Sequence, residues 1–497
     1  MSKLRRSVLQ TPRLLAVLFV LTLIFQVALL VVITRNSPDS IYASEDSYRD
    51  IAHNLIDYRT FSSGDYPNLA PEITRTPGYP MFIAAIYVLF GDSHVAVMIV
   101  QNLVSLASAG VLYLLGRRVF DGRTAAILGA AIHLLSLHRL SLVNSDYAET
   151  LSIFFSVTSI YFMVGYLRKN KLVDLSLAST ALGVAILIRP GALFLILFFL
   201  PFVFLRARSA RRSSGSWVRY GLLAVFVFAV PLAILVGGWT ARNYARAGLT
   251  SVSEVGPYSL YYWMAARVLS VDQGITWYEA RVARRARADA DGVDKMSANA
   301  RNTYWVREGL SVIWHSPLTY AKVQILGMLR FAGEGAMSYG PLIYLYGEAD
   351  RARITEIQKL LPSSNKIGNE VTRLTSLVNE GFYVVVAAKL YIGLWHVLAF
   401  LAATGYVLWR LARGGWRDPV LLLLLTYVGY LWLAAGPIGT SRHRLEVEPF
   451  ICLFAGAGVA TAAAYITCRV SRRSRIATSI TVGGSGGGSA PERAESG

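Results

Sequence analysis

Apolar positions in this chain gather into runs much longer than a soluble core helix needs. Residues 14–34 and 95–115 are each 21 residues without a charge. At 1.5 Å per helical residue, each is long enough to cross a hydrocarbon layer of about 30 Å. Comparable runs occupy 147–166, 220–239, 390–409, 419–436 and 450–467. One such run could be a buried core helix, but seven cannot. Three shorter runs, 124–137, 175–188 and 192–205, read as spans only when charge is considered.

Basic residues supply that second signal, because Lys and Arg in short loops favour the cytoplasmic side. Segments 3–13, 117–123, 168–171, 206–219, 410–417 and 469–475 hold 22 of the 49 Lys and Arg residues. All six fall on one side only if the number of crossings between successive segments is even. Residues 124–143 then form a full span, and 175–205 form a hairpin whose outer tip is Arg189-Pro190-Gly191. The expectation is an all-α polytopic membrane protein with about ten crossings and both termini cytoplasmic. The first run is too long for a secretory leader and has no small-residue cleavage site, so it reads as a retained span.

Two stretches remain outside the membrane, 35–94 and about 240–385. Together with a cytoplasmic 1–13, an N-terminal transmembrane module 14–239, C-terminal spans over 386–468 and a flexible cytoplasmic tail 469–497, they set the expected domain plan. In the first stretch Tyr48, Ile51, Ala52 and Leu55 recur at helical spacing, which predicts an amphipathic helix suited to the membrane surface. Residues 79–90 are apolar but too short to span. In the second, 277–310 predicts one or two surface helices, and 328–346 could form a half-buried hairpin that would raise the number of crossings.

Composition agrees with the pattern: 54% of residues are hydrophobic and 16% charged, against about 25% charged in soluble domains. The net charge of +19 is largely explained by orientation, and no basic stripe with interleaved aromatics indicates nucleic acid. Cys452 and Cys468, in or beside the last run, support neither a disulfide framework nor a zinc site.

The candidate chemistry lies on the outer face. Glu45 and Asp46 precede the amphipathic helix, where the helix dipole favours an ionised carboxylate able to cap the helix, act as a base or bind a metal. Glu149 lies just inside the fourth span with Asp146 before it, and an acid there is costly unless paired. His133, His138 and Arg139 are candidate partners. Arg75, Arg189, Arg242, Arg442 and Arg444 all sit beside outer span ends, and guanidinium groups bind phosphate in a two-pronged fork.

These residues fall in segments that resemble a known family. TRTPGYPMFIAAIYVLFG at 74–91 is similar to the R-x-P-G-Y-P segment of family 39-like glycosyltransferases of the GT-C class, which include protein O-mannosyltransferases and lipid A aminoarabinose transferases. GRRVFDGRTAAILGAAI, Asp146-Tyr147-Ala148-Glu149-Thr150, GVAILIRPGALFL, GGWTARNYARAG, HSPLTYAKVQ and SRHRLEVEPF resemble further segments in family order. The resemblance covers roughly residues 10–470.

The resemblance implies a GT-C type bundle of about ten to twelve membrane helices and a polyprenyl-phosphate-sugar donor. It implies inversion at the anomeric carbon and an extracytoplasmic active site, in a bacterial plasma (inner) membrane. The acceptor would be a glycan, lipid or protein hydroxyl. Asp46 is the expected base and Glu45 the second candidate, with Glu149 a further catalytic acid. Arg75, Arg189, Arg242, Asn243, Arg442 and Arg444 are expected around the donor phosphate, and Tyr79, Asp146 and His443 around substrate. Some relatives bind a divalent metal, but no ligand cluster in the sequence predicts one here. A glycolipid flippase is the alternative, although the span middles are mostly apolar.

Overall fold

A computed structural model describes residues 12–36, 47–210, 217–333, 340–359, 366–439 and 441–483. Glu45 and Asp46, the middle of the 328–346 stretch and the tail from 484 onward lie outside the described residues.

The described chain is helical. The N-terminal module contains α1 (Pro12–Asn36), α2 (Tyr48–Asp57), α3 (Gly78–Phe90), α4 (His94–Val119), α5 (Arg123–Leu134), α6 (Leu137–Leu142), α7 (Glu149–Lys169), α8 (Leu172–Ile188), α9 (Leu195–Ala210) and α10 (Trp217–Leu232). A π-turn at Ala233–Gly237 carries α10 into α11 (Gly238–Ala247). The external region adds α12 (Val255–Ser259), α13 (Ala266–Asp272), α14 (Trp277–Ala290), α15 (Ala298–His315), α16 (Pro317–Gly333), α17 (Glu348–Lys359) and α18 (Lys366–Asn379). The chain closes with α19 (Tyr383–Ala412), α20 (Pro419–Ala435), α21 (Ser441–Arg444) and α22 (Glu448–Gly483).

All ten predicted crossings coincide with apolar helices. Seven of these are long and apolar enough to cross a membrane: Arg13–Asn36, His94–Val119, Glu149–Lys169, Pro190–Ser209, Trp217–Ala247, Tyr383–Ala412 and Glu448–Arg469. The other three, α5, α8 and α20, have 12, 17 and 17 residues. The expected single span over 124–143 is broken instead. Ser136 is extended and its hydroxyl accepts from the Arg139 amide, which ends α5 and starts α6. The first external helix also differs from expectation. Tyr48, Ile51, Ala52 and Asn54 of α2 are buried, and Tyr48 meets Tyr79 of α3 edge-to-face at 5.0 Å. The apolar stripe therefore faces protein rather than the membrane surface.

The main core gathers side chains from α4, α7, α8, α9, α10, α19, α20 and α22. Close approach comes from small residues, as in other membrane bundles. A Cβ on Gly456 of α22 would collide with the backbone of Gly129 in α5. In the external region two helices, α14 and α15, form where surface helices were expected. Thr276 and Glu279 close a capping box at the start of α14. The end of α16 runs beside α20, where Trp432 donates to the Met328 carbonyl at 3.0 Å and Gln324 to the Leu433 carbonyl at 3.0 Å.

Candidate active site

The segment 74–78 reaches its place through backbone contacts. Glu72 accepts from the amides of Thr74 at 2.6 Å and Arg75 at 3.0 Å and fixes the turn. The Thr76 hydroxyl donates to the Ile188 carbonyl at 3.1 Å. Gly78 is required at this point, because a Cβ there would stand 2.6 Å from the Ile188 side chain and 2.9 Å from both the Ile188 nitrogen and the Leu187 oxygen. The docking joins α3 to the end of α8, immediately before Arg189. Gly78→Ala is expected to cost about 1–3 kcal/mol, as overpacking does elsewhere, and to lower the thermal midpoint of the detergent-solubilised protein. An unchanged midpoint would show that the approach is not tight.

Arg189 and Glu149 form the centre of the site. Glu149 opens α7 and is 2% exposed. Its carboxylate accepts from Arg189 and from the Nε of Arg442. A second Arg442 nitrogen lies 3.4 Å from the other carboxylate oxygen. Arg189 also reaches Glu446 at 2.9 Å, and Ser152 donates to the same Glu446 oxygen at 3.0 Å. The Arg442 guanidinium lies over the Tyr147 ring at 4.1 Å. Two arginines and two carboxylates thus balance in charge, which is how a charged cluster survives burial. Glu446 and Ser152 were not expected at the site. Nothing in the sequence signals a pairing between residues almost 300 positions apart.

His443 follows Arg442. Burial, then the neighbouring Arg189 and Arg442, push its imidazole down to about 4, so it is neutral at neutral pH. The unfolded chain takes up a proton near pH 6.5 and the folded state does not until about pH 4. Stability is therefore lost as pH falls through that window. His443→Gln should flatten the acid side of the stability profile relative to wild type, as followed by thermal unfolding from pH 7 to 4. Identical profiles would contradict the burial.

A polar chain lies beside the cluster. Asp146, 3% exposed, is 3.9 Å from the His94 Nε2, and the other His94 nitrogen is 2.9 Å from the Tyr87 hydroxyl. Tyr79 is fully buried and donates to Gln101 at 2.9 Å, while Gln101 donates to the carbonyls of Val143 and Ser145. Arg75 lies over Tyr48 at 5.8 Å.

Other candidates are engaged elsewhere. Arg242 donates to the main-chain oxygens of Glu72 at 2.7 Å and Phe61 at 3.1 Å and packs over Trp239 at 4.7 Å. Asn243 donates to the carbonyls of Ser251 and Val252. This pair fastens two external loops to α11. Arg444 is 1% exposed and donates to the Phe331 carbonyl at 2.9 Å. His133, His138 and Arg139 do not pair with Glu149 as anticipated. His138 meets Glu448 at 3.1 Å, and Arg139 donates to Ser105 and to the His133 and Leu134 carbonyls. Both ring nitrogens of His133 are buried with no hydrogen-bond partner among the described residues.

Residues 74–234 match the family model of dolichyl-phosphate-mannose-protein mannosyltransferases. The expected resemblance to GT-C glycosyltransferases holds over that segment, which contains Arg75, Tyr79, Asp146, Glu149 and Arg189. No curated protein matches the chain. Among solved structures, it is similar to the oligosaccharyltransferase of Archaeoglobus fulgidus complexed with Zn and sulfate, at 12% identity and a TM-score of 0.49, over 93% of this chain and 51% of that one. The chain thus spans about half the length of that relative. It is also similar to ArnT of Cupriavidus metallidurans bound to undecaprenyl phosphate, at 16% identity and a TM-score of 0.38, over 93% of this chain and 81% of that one. With its several long apolar helices, the chain is a multi-pass membrane protein.

Proposed function

We propose that the protein is an inverting glycosyltransferase. It moves a sugar from a polyprenyl-phosphate donor to an acceptor hydroxyl at the outer face of a bacterial plasma membrane. One observation carries the reading. The segment that matches the mannosyltransferase family supplies Glu149 and Arg189, and the fold brings Arg442 to the same carboxylate from far outside it. Two guanidinium groups that converge on one buried carboxylate support a phosphate-binding role.

In the reaction the bond between the anomeric carbon and the phosphate oxygen breaks, and a bond to the acceptor oxygen forms on the opposite face. The departing phosphate keeps the bonding electrons, and Arg189 and Arg442 offset its growing charge. No acid is needed for such a leaving group. One base, Asp46 or Glu45, takes the proton of the acceptor hydroxyl. Glu149 and Glu446 hold the arginines in place, Arg75 positions the first external loop, and Tyr79, Asp146 and His443 border the substrate. Arg242 and Asn243 support the phosphate region indirectly, through the loops they fasten. Residues 14–239 form the donor module, and 240–385 set acceptor choice.

Vesicles containing the purified protein, a labelled polyprenyl-phosphate sugar and an extract of cell-envelope acceptors test the reading. The expected result is free polyprenyl phosphate together with label on an acceptor. Label that crosses the bilayer still attached to its lipid would favour the flippase alternative.

A further inference from the structure

A second polar cluster is buried among α6, α19 and α22. His138, His396 and Glu448 each offer one donor atom, and these atoms lie within 4.8 Å of one another. His138 Nδ1 is 3.1 Å and His396 Nε2 3.6 Å from the same Glu448 oxygen. Ligand atoms around a tetrahedral ion with bonds of about 2.1 Å stand roughly 3.4 Å apart. The three side chains are between 1% and 4% exposed.

The hydrogen bonds make the spacing informative. The His396 Nδ1 is 2.7 Å from the Ile392 carbonyl, which can only accept, so that nitrogen carries the hydrogen. In a neutral ring the Nε2 then presents a lone pair to a carboxylate. Glu448 Oε1 and His138 Nε2 are buried with no hydrogen-bond partner among the described residues. A lone pair facing an anion in a dry interior is unfavourable, and a positive charge between the two atoms, carried by a metal ion or a proton, removes the conflict. A ring nitrogen fixed by a backbone carbonyl while the other faces the ligand position is also the usual support of a metal-binding histidine.

We propose that His138, His396 and Glu448 bind a zinc-class divalent metal. Two imidazoles and one carboxylate suit zinc better than magnesium or calcium, which prefer oxygen donors. Arg139 and Arg444 lie nearby and further disfavour ions held mainly by charge. Arg139 is tied to Ser105 and two carbonyls, and Arg444 to the Phe331 carbonyl. Bound metal ties α6 and α19 to the start of α22, immediately after the segment that carries Arg442 and Glu446. The proposal is independent of the transferase reading.

The test uses the full chain in detergent, stripped with a chelator and dialysed against zinc, with metal content measured by mass spectrometry. Wild type and Asp46→Asn should each retain about one equivalent, and His396→Gln and Glu448→Gln should lose it, since even supporting residues typically change affinity 10–100-fold. Cobalt added to stripped wild type should give the visible absorption of a tetrahedral site, which keeps the test informative if the variants fold poorly. Three outcomes overturn the proposal: wild type that retains no zinc, His396→Gln and Glu448→Gln that retain the wild-type amount, or loss confined to Asp46→Asn.

Discussion

Glu149→Gln is expected to lower stability by about 3 kcal/mol, the scale for breaking a buried ion pair from one side. The wild-type cluster is balanced, with Arg189 and Arg442 against Glu149 and Glu446. A neutral amide in place of the Glu149 carboxylate would leave one positive charge uncompensated beside an α7 start that is almost entirely buried. Arg442→Gln in the same chain restores the balance, because Arg189 keeps Glu446. The double variant should therefore be more stable than Glu149→Gln alone, a non-additivity expected of contacting charges. Thermal unfolding of wild type, the two single variants and the double variant in one detergent measures this. Strict additivity would mean that the two side chains do not interact. Both arginine-deficient proteins should still lose transfer, since a pocket without Arg442 has less to stabilise a departing phosphate.

Asp46→Asn is expected to reduce transfer by about 10²–10⁴-fold, the usual contribution of a general base, with little change in thermal midpoint. In the sequence the residue stands two positions before the start of α2, in the segment to which the proposed reaction assigns its base. Glu45→Gln should have the smaller effect, because the proposed reaction needs only one base. The reverse ranking would move the base to Glu45. Full activity in both variants would remove it from this loop.

The spans were the most legible part of the fold, because an apolar run needs no partner to declare itself. Ser136 shows the limit of that signal. It breaks a run of apolar residues through one hydroxyl and leaves two helices where one was expected. At the site, Arg189, Glu149 and Arg442 could be anticipated from their places at span ends and from the resemblance. Their mutual pairing could not, nor could Glu446 and Ser152, since an ion pair between distant segments leaves no periodic trace. Arg242 and Asn243 were legible as notable residues but not in their role. Their partners are carbonyl oxygens, which every residue possesses. His396 lies in the middle of an apolar span, where nothing local marks it, because its meaning depends on Glu448.

The attachment made by Arg242 and Asn243 has a consequence for how such a protein can diverge. Both side chains grip main-chain oxygens, so the latch is indifferent to the residues that occupy the loops it holds. Residues at 251 and 252 can be exchanged without releasing it, provided the chain keeps its path. Loop sequence in the external region can then change while the seat on α11 stays unaltered. Grafted loops of matching length should keep their seat on α11, and replacing the latch itself should unseat any loop placed there.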